Sequence, residues 1–220
     1  MGNKGRYVFP SFAKSVRLAT ERGKGRFYKN IFLFCIIFFP LFIFLFFRYS
    51  HAETKPVGIN TRFPDLTFEN ILSKDEQAYL GISRKKYFSF KEINGSLIVV
   101  ELTNTYCVSC KKNIPILNEI YQRIQKDLEL KDKVKVIGIA IGNNIKEVES
   151  LRNEYKVLYP LLTDPKFFAH KALGEPRVPY TMFIRRDARG KYIIFKIHKG
   201  VIESADSFIN EIRIVFSEHF

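Results

Sequence analysis

The chain predicts an α/β domain, a mixed central sheet flanked by helices, preceded by one N-terminal transmembrane helix. Three observations carry this expectation. Apolar, β-branched runs alternate with stretches of helical period through the middle of the chain, as parallel strands joined by crossover helices require. Two later apolar runs, 180–185 and 191–198, flank Asp187-Ala188-Arg189-Gly190 and read as a hairpin, which adds antiparallel strands. Finally, residues 31–47 form 17 consecutive positions without a charge and hold eight of the 22 Phe.

The N-terminal third is organised by charge and hydropathy. Half of the net charge of +14 lies in residues 1–30, where eight Lys and Arg face one acid, Glu21. As a helix, residues 31–47 would span roughly 25 Å, close to a hydrocarbon core. Tyr28 and Tyr49 flank the run where interfacial aromatics belong. The positive-inside rule keeps residues 1–30 in the cytoplasm as a basic tail and sends the rest across the membrane. Ser50-His51-Ala52 offers small residues at the spacing a signal peptidase uses, so the segment reads as an anchor or a signal peptide. The long basic region and Arg48 favour the anchor. Both readings place the remainder outside the cytoplasm, in a periplasm or its equivalent. Cys35 lies within the run and reads as a small hydrophobe in lipid. No nucleic-acid partner is expected, because the concentrated basic charge abuts the apolar run and no nucleic-acid motif is visible.

Residues 48–62, with Pro56 and Gly58, read as a linker, and residues 63–220 as one domain. A short edge strand is expected at 66–68, a helical turn at 75–79 and a strand at 87–90, with Asn94-Gly95 as a turn. The run 97–102 is apolar apart from Glu101, the pattern of a strand buried on both faces. A helix over 108–128 follows from Ile116, Ile120, Ile124 and Leu128 at every fourth position, with Leu117 and Tyr121 widening the stripe. Pro115 should kink it. Residues 133–141 read as a strand. Asn143 or Asn144 can cap a helix reaching 155. Residues 157–162 are strand-like. Asp164-Pro165 is expected to start a helix through 173 by the N-cap and N1-proline rule. The hairpin and a helix over 204–216 complete a βαβ half followed by a ββα half.

The chemistry centres on Cys107 and Cys110, at the junction of the 97–102 strand and the 108–128 helix. Unpaired N–H groups and the helix dipole favour a thiolate there. Cys107 is the candidate nucleophile and Cys110 the resolving thiol. Zinc would need two more ligands, and His51, His170, His198 and His219 are scattered without ligand spacing. No metal and no cofactor beyond the Cys107–Cys110 disulfide is expected. The competing use of the same thiolates is to carry Cu(I) as a metallochaperone. Glu101 is the one charge in its strand, six residues before Cys107. It reads as a buried proton acceptor for the resolving thiol, or else as a strand-end residue facing solvent. Val178-Pro179 precedes a strand. Pro179 is either a trans proline at a strand start or a cis proline that exposes the Val178 carbonyl toward the cysteines.

These motifs, Phe63-Pro64-Asp65-Leu66, the stretch from Glu101 through Cys107 and Cys110 to Pro115, and Val178-Pro179-Tyr180-Thr181-Met182-Phe183-Ile184, resemble the membrane-anchored TlpA/ResA-like branch of the thioredoxin superfamily. The resemblance spans about residues 63–216. It implies a thioredoxin-like fold, a cis Pro179, an exposed attacking Cys107, and substrate contacts at Tyr106 and Val178. It also implies a protein disulfide reductase acting on disulfide-bearing exported proteins, apocytochrome haem-attachment cysteines among them, with electrons from a membrane thiol donor. Two departures stand out. Tyr106 replaces the usual Trp, and Asn113 replaces a glutamate that relatives often carry. Glu101 instead matches the buried aspartate of ordinary thioredoxins, as if the acid had moved from helix to strand. A peroxidase is not expected, because Asn104 stands where peroxiredoxins need threonine.

Overall fold

The structure, a computed structural model, describes residues 56–187 and 189–217. The basic tail, the apolar segment 31–47 and most of the linker lie outside the described residues. No helix among the described residues is long and apolar enough to cross a membrane.

Five strands form the central sheet. They are β3 (Leu97–Thr103), β4 (Val134–Ile141), β5 (Leu161–Asp164), β6 (Tyr180–Arg186) and β7 (Tyr192–Lys199). The order is β5-β4-β3-β6-β7. β3 pairs with β4 in parallel, as β4 does with β5, whereas β6 and β7 are antiparallel to their neighbours. The two halves read from the sequence therefore meet at β3. That strand is buried at every position, as a two-faced apolar run requires. A separate ribbon pairs β1 (Thr67–Glu69) with β2 (Tyr87–Ser89). Helix α1 (Lys74–Leu80) links the two, closed by a Ser73–Glu76 capping box.

Alternation along β3 divides the core into two layers. Ile98, Val100 and Leu102 pack with Ile137, Ile139 and the phenylalanines of the ribbon segment, Phe68, Phe88 and Phe90. Leu97 and Val99 pack beneath α2 (Val108–Lys126) and α5 (Ala205–Ser217), against Leu117, Ile120, Ile124, Phe208 and Ile212. Glu101 lies on this second face by the same alternation. α2 ends earlier than its stripe implied. The Asp127 N–H closes on the Arg123 and Ile124 carbonyls, and Leu128 is left exposed.

Two local expectations are corrected. Asp164 does not start a helix: it is the last residue of β5, paired with Ile141. The helix there, α4 (Phe168–Ala172), begins later, and the Asp164 carboxylate reaches round to accept the His170 N–H at 2.9 Å. Ladder pairing with β4 outweighs the local cap signal. The strand read at 157–162 is β5 shifted toward the C-terminus, with Val157 and Tyr159 buried ahead of it. Of the two asparagines offered as caps, Asn144 caps α3 (Ile145–Tyr155), in a capping box with Glu147.

Gly142 turns the chain out of β4 with φ +70°, and a Cβ there would run into the Phe167 ring. Left-handed backbone and steric overlap therefore coincide. The exposed Phe167 ring can turn aside, so the backbone carries most of the cost, and Gly142→Ala is expected to lower stability by about 1–2 kcal/mol, read as a shifted urea midpoint with an unchanged slope.

Candidate functional site

The cysteine pair sits at the carboxyl end of β3, where the chain turns into α2. Cys107 is the N-cap residue, and its Sγ accepts the Cys110 N–H at 3.1 Å. Cys107 is half-buried, Cys110 is 1% exposed, and the two form a disulfide with Cα atoms 5.2 Å apart. A partly exposed cysteine is thus joined to a buried one. The first turn of α2 carries no acidic residue, so nothing there offsets the helix-end potential that favours a Cys107 thiolate.

The Val178–Pro179 peptide is cis. The residues alone left both isomers open, and the resemblance implied this one. The Val178 carbonyl oxygen lies 4.0 Å from Cys107 Sγ, and Pro179 is buried. The Pro179 carbonyl accepts the Gly200 N–H at 3.0 Å, which ties this loop to the end of β7.

Glu101 is 1% exposed and so does not face solvent. Its neighbours across the ladder are Gly138 on β4 and Thr181 on β6. The Thr181 hydroxyl donates to one carboxylate oxygen, and Asn113 Nδ2 donates to the other at 2.9 Å. Burial pushes the carboxyl up to about 7, against the opposing pull of these two hydrogen bonds. Tyr159 closes the site from the β4 side, over Gly138. Its phenol is raised by burial and then by the nearby Glu101 charge.

Asn113 is fully buried one turn beyond Cys110 on the inner face of α2. Besides meeting Glu101, its Oδ1 accepts the Ile202 N–H at 2.9 Å. The sequence showed only that a customary acid is missing there. The structure places an amide that holds the acid of the neighbouring strand. Its signal was its position, three residues after Cys110 on the buried stripe.

Tyr106 and Val178 lie at the rim. Tyr106 is 76% exposed, and its hydroxyl donates to Glu147 Oε1 at 2.6 Å. Val178 is half-buried. Val108, 71% exposed just after Cys107, adds apolar surface that sequence reasoning missed. Its exposure follows from its place in the first turn, outside the buried stripe.

The arrangement can form and release a disulfide at Cys107, with a second, buried thiol at Cys110 and a buried carboxyl held by Asn113 three residues beyond it on α2. Fold and site together define a thiol–disulfide oxidoreductase of thioredoxin-like architecture. The chain belongs to the AhpC/TSA family, whose model matches residues 59–196. Among named relatives, the thiol-disulfide oxidoreductase ResA of Geobacillus thermodenitrificans is 20% identical over 143 residues, covering 65% of this chain and 72% of that protein. The thioredoxin domain of a thiol-disulfide oxidoreductase from Bacteroides vulgatus superimposes with TM-score 0.52 at 12% identity, covering 72% of this chain and 98% of that one. A proposed protein disulfide isomerase from Bacteroides thetaiotaomicron gives TM-score 0.53 at 21% identity, covering 71% and 89%. At these identities the two structures speak for the fold.

Proposed function

We propose that the chain reduces disulfides of exported proteins in an extracytoplasmic compartment. Residues 31–47 hold it to the membrane, residues 1–30 remain cytoplasmic, residues 48–62 serve as the tether, and residues 63–220 form the catalytic domain. The observation that carries this reading is the Cys107 sulfur, accessible at the start of α2 beside the Val178 carbonyl, with Cys110 buried beneath.

The exchange runs in two steps. In the reduced enzyme the Cys107 thiolate attacks one sulfur of a substrate disulfide. A Cys107–substrate S–S bond forms, and the other substrate sulfur leaves as a thiolate. Cys110 then gives its proton to Glu101 and attacks Cys107 Sγ. The internal disulfide closes and the second substrate thiolate departs. Two electrons pass from the enzyme dithiol to the substrate. A membrane thiol donor restores the dithiol by the reverse exchange. Substrates of this chemistry include the haem-attachment cysteines of apocytochromes. Val178, with a backbone carbonyl beside the reacting sulfur, and the exposed Tyr106 ring supply the substrate contacts.

The test is reduction of insulin by the full-length chain with dithiothreitol as electron source. The wild type is expected to accelerate precipitation of the insulin B chain, and Cys107→Ser to return it to the uncatalysed rate. Stoichiometric Cu(I) binding after anaerobic purification, with no insulin reduction, would replace this reading with a metal carrier.

A further inference from the structure

Asn143 was one of two adjacent asparagines available to cap α3, and Asn144 takes that role. Asn143 turns inward instead and is fully buried. Both ends of its amide meet Thr105, two residues before Cys107, and the side chain also hydrogen-bonds the Glu147 carboxylate. Oδ1 accepts the Thr105 N–H at 3.0 Å, and Nδ2 donates to Thr105 Oγ1 at 2.7 Å.

This contact begins where the backbone ladder stops. The last β3–β4 pair is Thr103 with Ala140. Beyond it, no further β3–β4 pairing holds the turn that carries the nucleophile. A side-chain amide offers the same donor and acceptor as a peptide group. Asn143 thus continues the pairing two residues past the strand, with a side chain in place of backbone. Asn104 works beside it: its Nδ2 donates to the Ile141 carbonyl at 2.7 Å, and its Oδ1 accepts the Tyr106 N–H at 2.8 Å. Asn143 is itself placed by the Gly142 turn, whose N–H donates to the Asp164 carbonyl at 2.9 Å.

We propose that Asn143 is a positioning residue for thiol–disulfide exchange, holding the 104–107 turn through Thr105 so that Cys107 Sγ stays on the Cys110 N–H. The proposal rests on the exchange reading above. With the fork intact, the sulfur keeps that N–H and the helix-end potential, both of which stabilise its thiolate. With the fork cut, the turn drifts and the thiolate loses them. Of the charged groups around the pair, Glu101 on β3 and Lys111 on α2 are the same in either case, whereas Glu147 on α3 also loses a hydrogen bond from Asn143 in Asn143→Ala, a bond that the Thr105 variants leave in place.

The test uses the full-length reduced protein and iodoacetamide, with peptide mass spectrometry assigning the label to Cys107. Asn143→Ala is expected to slow alkylation at pH 7 about threefold or more and to move the midpoint of its pH profile upward. Thr105→Val, which removes half the fork, should do the same to a smaller degree, and Thr105→Ser should restore the wild-type rate. An unchanged rate and midpoint in Asn143→Ala, with only a lower melting temperature, would overturn the proposal and leave Asn143 a fold residue. If Asn143→Ala does not fold, the Thr105→Val and Thr105→Ser pair decides on the same readouts. Insulin reduction by the wild type reports separately on the exchange reading, so the two can fail independently.

Discussion

Cys110→Ala is expected to leave Cys107 covalently joined to its substrate and to cut insulin reduction to below about 1% of wild type. The reason is geometric. Once Cys107 has attacked, a second sulfur must reach it, and Cys110 already lies within disulfide distance on the next turn of α2. Cys110 is also 1% exposed, so it does not compete for substrate. Its removal stops resolution while leaving the first attack intact. The adduct should appear on a non-reducing gel and vanish with dithiothreitol. In Cys107→Ser/Cys110→Ala it should not form. Adducts that survive loss of Cys107 would place the nucleophile elsewhere. Identifying the trapped proteins from cells would name the substrates.

Glu101→Gln should separate the cost of a buried acid from its use. Glu101 titrates at about 7 in the folded chain against an ordinary value of 4.5, because burial disfavours its charge. Between those values the unfolded chain has lost the proton and the folded chain keeps it. The unfolded state then binds fewer protons, so stability falls as pH rises from about 4.5 through about 7. The full loss is about 3 kcal/mol. A glutamine fits the same partners: its oxygen accepts from Asn113, and its amide donates to the Thr181 hydroxyl oxygen. At pH 8 the variant should therefore be more stable than wild type toward urea, with the advantage gone at pH 4. Resolution of the mixed disulfide should slow about tenfold or more, since Cys110 loses its proton acceptor. Equal exchange rates across pH 6–9 would remove Glu101 from the mechanism.

Much of the site was legible because its residues break local patterns. A charge inside a β-branched run marks Glu101, and a cysteine pair where a strand gives way to a helix marks Cys107 and Cys110. The isomer of Pro179 was not legible in the residues, since trans is the default and only tertiary packing selects cis. It came from the resemblance of the whole motif set. Asn143 and Asn144 were equivalent by local rules. What distinguishes them is Thr105, 38 residues away in sequence. The role of Asn113 was not legible for the same reason, as the helix residue meets its partner Glu101 on β3. The β1–β2 ribbon was legible as two short strands but not as a pair, because the intervening α1 segment removes any hairpin signal. Asp164 shows the converse failure, a strong local cap signal overruled by the ladder it terminates.

The direction of electron flow is the central claim, and the reduction potential of the Cys107–Cys110 couple tests it most directly. Equilibration of the full-length chain with graded glutathione or dithiothreitol buffers, quenched and counted by thiol alkylation, gives that value. A reductase of exported proteins requires a potential well below about −200 mV. A value near about −120 mV would make the protein an oxidant and contradict the account.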